Sequence, residues 1–571
     1  MALAETPRKG RFLFVLPIAF IGALALLGAW LAPNHYPPWT SFHGEAAAFV
    51  ALVAFVVARL VAKDRWETSR EAFVIALLVP LIWIQWSVGL ITFFGDAVVS
   101  SLFLSGLALA WWLGANSTSP GRTSSAVPLL AALVVTGASL SVLIAVLQWL
   151  RIESAWGIFA AERGPDMRPY GNLGQPNHLA TLTLMGCVLG CLLFVRGYLR
   201  TWQLVALLVF LSFGLILTES RTGRISAGML GLFLLWRAKP DWGLGGRKAV
   251  VLWWALLAML EAARVALSGA LLLQPSRDAV MTQDDLRLVM WKQMVSAIGE
   301  APWLGYGWRQ TIVAQKTGAR ATEGTLVTDY AHNIVLDILL WVGLPLGCLL
   351  LLAVIWWFVR TLRTVRDPVP CLLFASVIPV LVHSLLEFPF AYAYFLFPVG
   401  WILGFLAAHH RRPTPSQPAW TRPLAAACVL AFASLCTAVF QEYLQAEEDY
   451  RVMRFELRRV GTRPADHAAP QFVWLTQLGE LLDTGRMTPY AGMPARDIER
   501  LRIANQGQGW ATLHLSYAVA LGLNGQPEEA TRQLRDMRSL YGGETYRQTS
   551  QLFRDMQADP RYSQLATVAV P

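Results

Sequence analysis

The sequence predicts an all-α, polytopic membrane protein of about thirteen spans with a small helical domain at its C-terminal end. Three observations carry that expectation. Of the 571 residues, 55% are hydrophobic and only 15% charged, whereas a soluble domain carries about 25% charged residues. Apolar runs of roughly 18 to 25 residues recur along the chain, the length at which a helix crosses a hydrocarbon core of about 30 Å. The basic residues gather in alternate short connections, as expected of loops held in the cytoplasm. That clustering assigns the net charge of +10 to membrane topology and the lipid surface, and it argues against nucleic acid as a partner.

The first run, 12–32, follows Arg8, Lys9 and Arg11. It is longer than the apolar part of a signal peptide and more spans follow, so it reads as an anchor. Further spans are expected near 44–62, 72–94, 97–114, 126–150, 178–196, 203–218, 225–236, 250–273, 333–359, 370–387, 392–408 and 423–440. With the N-terminus inside, the loops containing "RLVAKDRWETSR", "RGYLRTW", "RAKPDWGLGGRK", "RTLRTVRD" and "HHRRPTPSQPAWTR" all face the cytoplasm. Thirteen spans then leave the C-terminal segment outside. The chain divides into a transmembrane region, 1–440, with a long outer loop at 274–332, and a soluble helical domain, 441–571. Within the latter, "WATLHLSYAVALGLNGQPEEATRQLRDMRSLYG" reads as one tetratricopeptide-like helix pair. All six cysteines lie in apolar runs and read as small buried hydrophobes, so no disulfide framework is expected.

The outer face receives the polar material. "YGNLGQPNHLAT" (170–181) brings Gln175, Asn177 and His178 to the mouth of a span, and "TESRTGR" brings Arg221 and Arg224. The long loop offers Arg277, Asp284, Asp285, Arg287, Lys292, "PWLGYGW" and His332, and Glu387, Tyr392 and Tyr394 lie at the turn between two later spans. Each has a structural alternative. Gln175 and His178 can cap a helix. Arg221 can snorkel to headgroups from a tight turn. His332 can be an interfacial histidine, the tyrosines can belong to an aromatic belt, and "PWLGYGW" can pack the loop instead of lining a sugar.

No Asp-x-Asp pair, His-Glu-x-x-His or Walker motif occurs, so neither a metal site, nor a zinc protease, nor an ATP-driven step is indicated. Arginine presents a permanent planar fork suited to phosphate oxygens. Histidine titrates in the range that suits taking a proton from a hydroxyl. Together these residue types fit glycosyl transfer from a lipid pyrophosphate to a hydroxyl, with no metal and no other cofactor.

"GNLGQPNHLAT", "SRTG", "LGYGW" and "AHNIVLDILLWVGLPLG" resemble the bacterial O-antigen ligase superfamily, most of all its PglL-type protein O-oligosaccharyltransferases, over about 150–410. The resemblance implies that an oligosaccharide moves en bloc from undecaprenyl pyrophosphate to Ser/Thr hydroxyls of periplasmic acceptor proteins such as pilins. It places the enzyme in the bacterial inner membrane, with active site and C-terminal domain in the periplasm. Carried over residue by residue, the essential loop histidine is His332, the important glutamine Gln175 and the hairpin arginine Arg221. The functional tyrosine is Tyr392 or Tyr394, and Arg277 and Arg287 are candidates for a further donor-binding arginine. His178, Asn177 and Arg224 are read as further substrate contacts. An O-antigen ligase acting on lipid A-core, or a polysaccharide polymerase, would share the donor chemistry. A transporter is the alternative of another class. Against it, the spans lack midplane ionisable pairs, His383 being the main intramembrane candidate, and no internal repeat is apparent.

Overall fold

A backbone in hydrocarbon must satisfy its own N–H and C=O groups, so the apolar runs of this chain fold as helices. The computed structural model describes residues 9–571 apart from 63–66, 118–124, 165–166, 274–282, 325–326, 410–420, 459 and 461–468. Among the described residues every regular element is helical. The first two expected spans are α1 (Lys9–Leu31) and α2 (Phe42–Ala62). The third is interrupted, as α3 (Arg70–Ala76) and α4 (Leu78–Ser87) meet at Leu77 and a non-helical segment, 88–93, leads into α5 (Phe94–Ala115). Then come α6 (Ala126–Leu150), α7 (Pro176–Val195), α8 (Thr201–Leu217), α9 (Arg221–Arg237) and α10 (Gly246–Ala270). The long loop is itself helical, with α11 (Gln283–Glu300) and α12 (Thr311–Gly318) preceding α13 (Ile334–Thr364), α14 (Pro368–Ser384) and α15 (Ala393–His409).

Among the described residues eight helical stretches are long and apolar enough to cross a membrane, α3 and α4 counted together as Arg70–Ser87, and shorter apolar helices including α8, α14 and α15 occupy other expected spans. This is a multi-pass membrane protein. The expected span at 225–236 lies within α9, whose 17 residues include three arginines and which is not among the apolar helices.

The chain packs as two compact units. One comprises Met1–Leu78, Phe103–Asp278 and Ile355–Cys436; the other comprises Val79–Leu102, Ala279–Val354 and Thr437–Pro571. In the first unit α7 is central, packed on α6, α8 and α14. Of its apolar stretch 83% is buried, against 11% for α10. The polar side chains Asn177, His178, Thr181 and Thr183 of α7 therefore face protein and not lipid. Cys187 and Cys371 are buried as expected, but Cys348 and Cys428 are exposed on their helices. The lipid-facing side of a span is as apolar as its core, so a small hydrophobe need not be buried there.

In the second unit α13 breaks at Gly343 (φ 76°, ψ 171°), a left-handed backbone that favours glycine, two residues before Pro345. The break releases carbonyls, and neighbours take them up. Tyr306 N donates to Leu340 O (2.7 Å) and Gln85 Nε2 to Trp341 O (2.8 Å), while Gln85 Oε1 accepts from Trp308 N (3.0 Å). "LGYGW" is thus packed onto the helix break: a Cβ on Gly305 would stand 2.3 Å from Leu340 O.

The helix that carries the final apolar run does not end near 440. It continues as α16 (Thr421–Leu457), where Glu442 accepts from the N–H groups of Val473, Trp474 and Leu475 (2.6, 2.8 and 2.6 Å) and Asp449 pairs with Arg486 (2.8 Å). Beyond lie α17 (Thr476–Arg486), α18 (Ala495–Gly507), α19 (Ala511–Leu523), α20 (Pro527–Tyr541) and α21 (Gly543–Ala558). The expected helix pair is α19 and α20, joined at "NGQP" and packed together around Leu534, Met537 and Ala518. Lys316 of α12 donates to the carbonyls of Asn505 and Gln508 (the latter 2.8 Å), capping the C-terminal end of α18.

Candidate active site

The predicted site residues that are described fall in both units. Those of the first begin with the turn that opens α7. Gly171 (φ 65°) and Gly174 (φ 73°) supply its left-handed bends. Gln148 of α6 holds the turn by accepting from Tyr170 N (3.0 Å) and Gly171 N (2.9 Å) and donating to Gly171 O (2.7 Å). Asn172 ties it to Leu31 O and Phe159 O (2.8 Å each). Burial, reinforced by Glu153, pushes the Tyr170 phenol up, which keeps it protonated as a donor to Glu162 O (2.8 Å).

Pro176 then starts the helix, where its missing N–H costs nothing. Gln175 occupies the capping position with extended backbone (φ −146°, ψ 129°), yet its side chain makes no cap hydrogen bond. It reaches Glu387 instead. That carboxylate, 3% exposed, accepts from Gln175 Nε2 (2.8 Å) and Asn177 Nδ2 (2.5 Å), and its Oε2 lies 3.1 Å from His383 Nε2. His383 Nδ1 in turn meets Thr181 Oγ1 at 2.8 Å. Only the NH2 end of an amide can face a carboxylate, so this pairing directs the Gln175 oxygen away from Glu387 as an acceptor.

The network continues to α9. Ser220 donates to Asn177 Oδ1 (2.5 Å) and accepts from Gly223 N (2.8 Å), which makes it the N-cap of that helix. Arg221 is the first residue after the cap and is exposed. "SRTG" is therefore a helix start and not a tight turn alone. Its glycine brings α9 close to α7, since a Cβ on Gly223 would lie 2.7 Å from Ala180 Cβ. Arg224 pairs with Glu261 (3.2 Å), which also binds Arg264 (3.0 Å), and Arg264 reaches Glu219 (3.1 Å). Arg224 is 54% exposed, so its ion pair adds little stability.

His178 does not cap α7. It is buried, its Nδ1 lies 3.0 Å from the Tyr394 hydroxyl, and the Tyr392 ring stands 4.4 Å from its own. Tyr394 is held from behind, its carbonyl accepting from Trp30 Nε1 (3.1 Å) and the neighbouring Ala393 N–H donating to Glu45 (2.6 Å). Tyr394 thus lies inside the protein, not in an aromatic belt, and Tyr392 is half-buried beside it.

The second unit carries the turn before α13. His332 is half-buried with φ 53°, and Asn333 caps the helix by accepting from Val335 N (3.0 Å). Arg287 on α11 belongs to the same unit and is half-buried. Arg277 lies outside the described residues, as do the side chains of Asp284 and Asp285. Among the described residues no group of three or more His, Cys, Asp or Glu gathers that could hold a metal ion.

In the sequence Glu387 and His383 stand as separate candidates, one at a turn and one within a span. Their spacing of four residues on one apolar helical stretch, which sets both on the same face, was the available signal. Ser220 and Thr181 carried none.

The comparisons with known proteins follow the same motifs. Residues 206–352 match the family described as O-antigen ligase, 169–194 the protein glycosylation ligases, and 371–553 the C-terminal part of virulence factor membrane-bound polymerases. The general O-oligosaccharyltransferase of Acinetobacter baylyi is 30% identical over 558 residues, 93% of each chain. The chain belongs to the O-antigen ligase and O-oligosaccharyltransferase family. The ComP-specific O-oligosaccharyltransferase of the same organism is 28% identical over 397 residues, 68% of this chain and 71% of its own. Membership makes the protein an O-oligosaccharyltransferase family enzyme, and the transporter alternative falls.

Proposed function

We propose that this enzyme transfers an oligosaccharide en bloc from undecaprenyl pyrophosphate to serine or threonine hydroxyls of periplasmic proteins, pilin-like ones among them, without a metal ion. The observation that carries the protein acceptor is the match of residues 169–194 to protein glycosylation ligases, because that segment contains Gln175, Asn177 and His178. In the reaction the sugar C1–O bond to the pyrophosphate breaks, C1 bonds to the acceptor oxygen, and the acceptor proton leaves. His332 takes that proton, and Arg221, exposed at the start of α9, binds the departing pyrophosphate. Gln175, its NH2 held by Glu387, offers its oxygen to a hydroxyl. Asn177, His178 and Tyr394 are buried and bonded within the protein, which supports a role in shaping the site; Tyr392, Arg224, Arg277 and Arg287 remain the candidates for direct substrate contact.

The deciding experiment expresses the chain with a lipid-linked oligosaccharide pathway and candidate acceptors. Glycan-sized mass additions on intact periplasmic proteins are expected. Glycan found only on lipopolysaccharide would assign the O-antigen ligase reaction instead. The outward orientation has its own test. A reporter active only in the cytoplasm, fused after Pro571, is expected to be silent, and activity there would put the proposed site on the wrong side of the membrane. Arg221→Lys keeps the charge and loses the planar fork. Forfeiting one charge-assisted hydrogen bond of about 1.5–3 kcal/mol lowers transfer by roughly 10- to 100-fold at unchanged protein level. Full activity would leave Arg221 only an interfacial role.

A further inference from the structure

We infer that Trp291 and Asp337 are positioning residues for His332, acting through the backbone of Ala331. The inference rests on the proposed role of His332 in the transfer step. The two bonds to that residue come from different helices. Ala331 N donates to Asp337 Oδ1 (2.9 Å), from the first turns of α13, and Ala331 O accepts from Trp291 Nε1 (2.9 Å), from α11. Ala331 is fully buried, so the peptide groups on either side of it are held in the protein interior immediately before His332. His332 itself adopts φ 53°, a conformation a non-glycine residue keeps only where its surroundings impose it. The Asn333 cap holds the chain on the other side of His332.

Asp337 carries the sharper argument. It is fully buried in an apolar helix, and Oδ1 takes both of its bonds, from Ala331 N and from Thr311 Oγ1 (2.8 Å). Thr311 is oriented in turn by Trp341 Nε1 (2.8 Å). Oδ2 has no hydrogen-bond partner among the described residues. A buried carboxylate is a costly way to hold a helix together, and an apolar residue would serve packing alone. What this one supplies is an acceptor aimed at the backbone N–H of the residue before His332. The ligand of the site is not touched; the device sets where the imidazole points.

The test compares purified Trp291→Phe, Asp337→Ala, Asp337→Asn and His332→Ala with the wild type, using lipid-linked oligosaccharide and an acceptor protein. Trp291→Phe keeps an aromatic ring while losing the indole donor and some volume, and it is expected to lower kcat about 10-fold with the KM for the lipid donor unchanged. Asp337→Ala should do the same or worse. Asp337→Asn keeps an acceptor oxygen at the Oδ1 position and is expected to stay within about 2-fold of wild type. Added to His332→Ala, Trp291→Phe should cost the residual rate nothing more. An inactive His332→Ala beside a fully active Trp291→Phe overturns the positioning role alone. Equal losses from Trp291→Phe with and without His332 would assign it to folding and also overturn the proposal. An active His332→Ala would remove the role of His332 itself, and the positioning role with it.

Discussion

His332→Ala is expected to bind the lipid donor normally and to lose transfer by about 100- to 10,000-fold, the usual worth of general-base assistance. The side chain sits at the end of the α11–α12 segment, in a left-handed backbone, directly before the Asn333 cap. A residue whose only task was to lead into that cap could become alanine at much smaller cost, because the capping oxygen belongs to Asn333. The measurement is transfer in vitro with purified lipid donor, alongside donor binding. Near-normal transfer would take His332 out of the mechanism. The same assay with a chelator present is expected to show no loss, and abolition there would mean that a metal takes part.

The second large effect is expected at Glu387. Three donors converge on this buried carboxylate, from Gln175, Asn177 and His383. Glu387→Ala removes the acceptor and leaves them unpaired in the protein interior, a loss of about 3–5 kcal/mol of stability by analogy with a broken buried pair. Glu387→Gln is gentler and more informative. A glutamine has one acceptor oxygen, so its own NH2 must oppose at least one of the three donors, at about 1–3 kcal/mol. Transfer should fall with stability, since Gln175 loses its orientation and Asn177 its hold on the Ser220 cap of α9. The exchange Gln175→Glu with Glu387→Gln restores an amide–carboxylate pair with reversed polarity. Melting temperature is expected to recover in the double variant while transfer does not, because a carboxylate then stands where the reacting hydroxyl should meet an amide oxygen. If transfer recovered as well, the amide of Gln175 would not be required. If the melting temperature stayed low, the two side chains would not be acting as a pair.

Hydropathy along the chain was enough to reveal the all-α membrane class, because crossing a bilayer is a question of local length and composition. The α19–α20 pair was legible for a similar reason, its apolar spacing and its "NGQP" turn both lying within about thirty residues. Gln175, Arg221 and His332 stood out as polar residues at the margins of apolar runs. Packing decided which partners side chains at such margins meet. Gln175 ahead of Pro176 has the local look of a helix cap, yet its partner is Glu387, 212 residues away, and His178 finds Tyr394 at a separation of 216. The Gln175 NH2 donates to a buried carboxylate, a charge-assisted bond stronger than a neutral cap bond, so the side chain follows its long-range partner. The continuation of α16 past 440 and the break of α13 at Gly343 were likewise invisible to hydropathy. In the first, residues 473–475 come to satisfy Glu442 on the continued helix, and in the second Tyr306 and Gln85 take up the freed carbonyls. Such bonds are made between segments distant in the chain, and they exist only once the helices have packed.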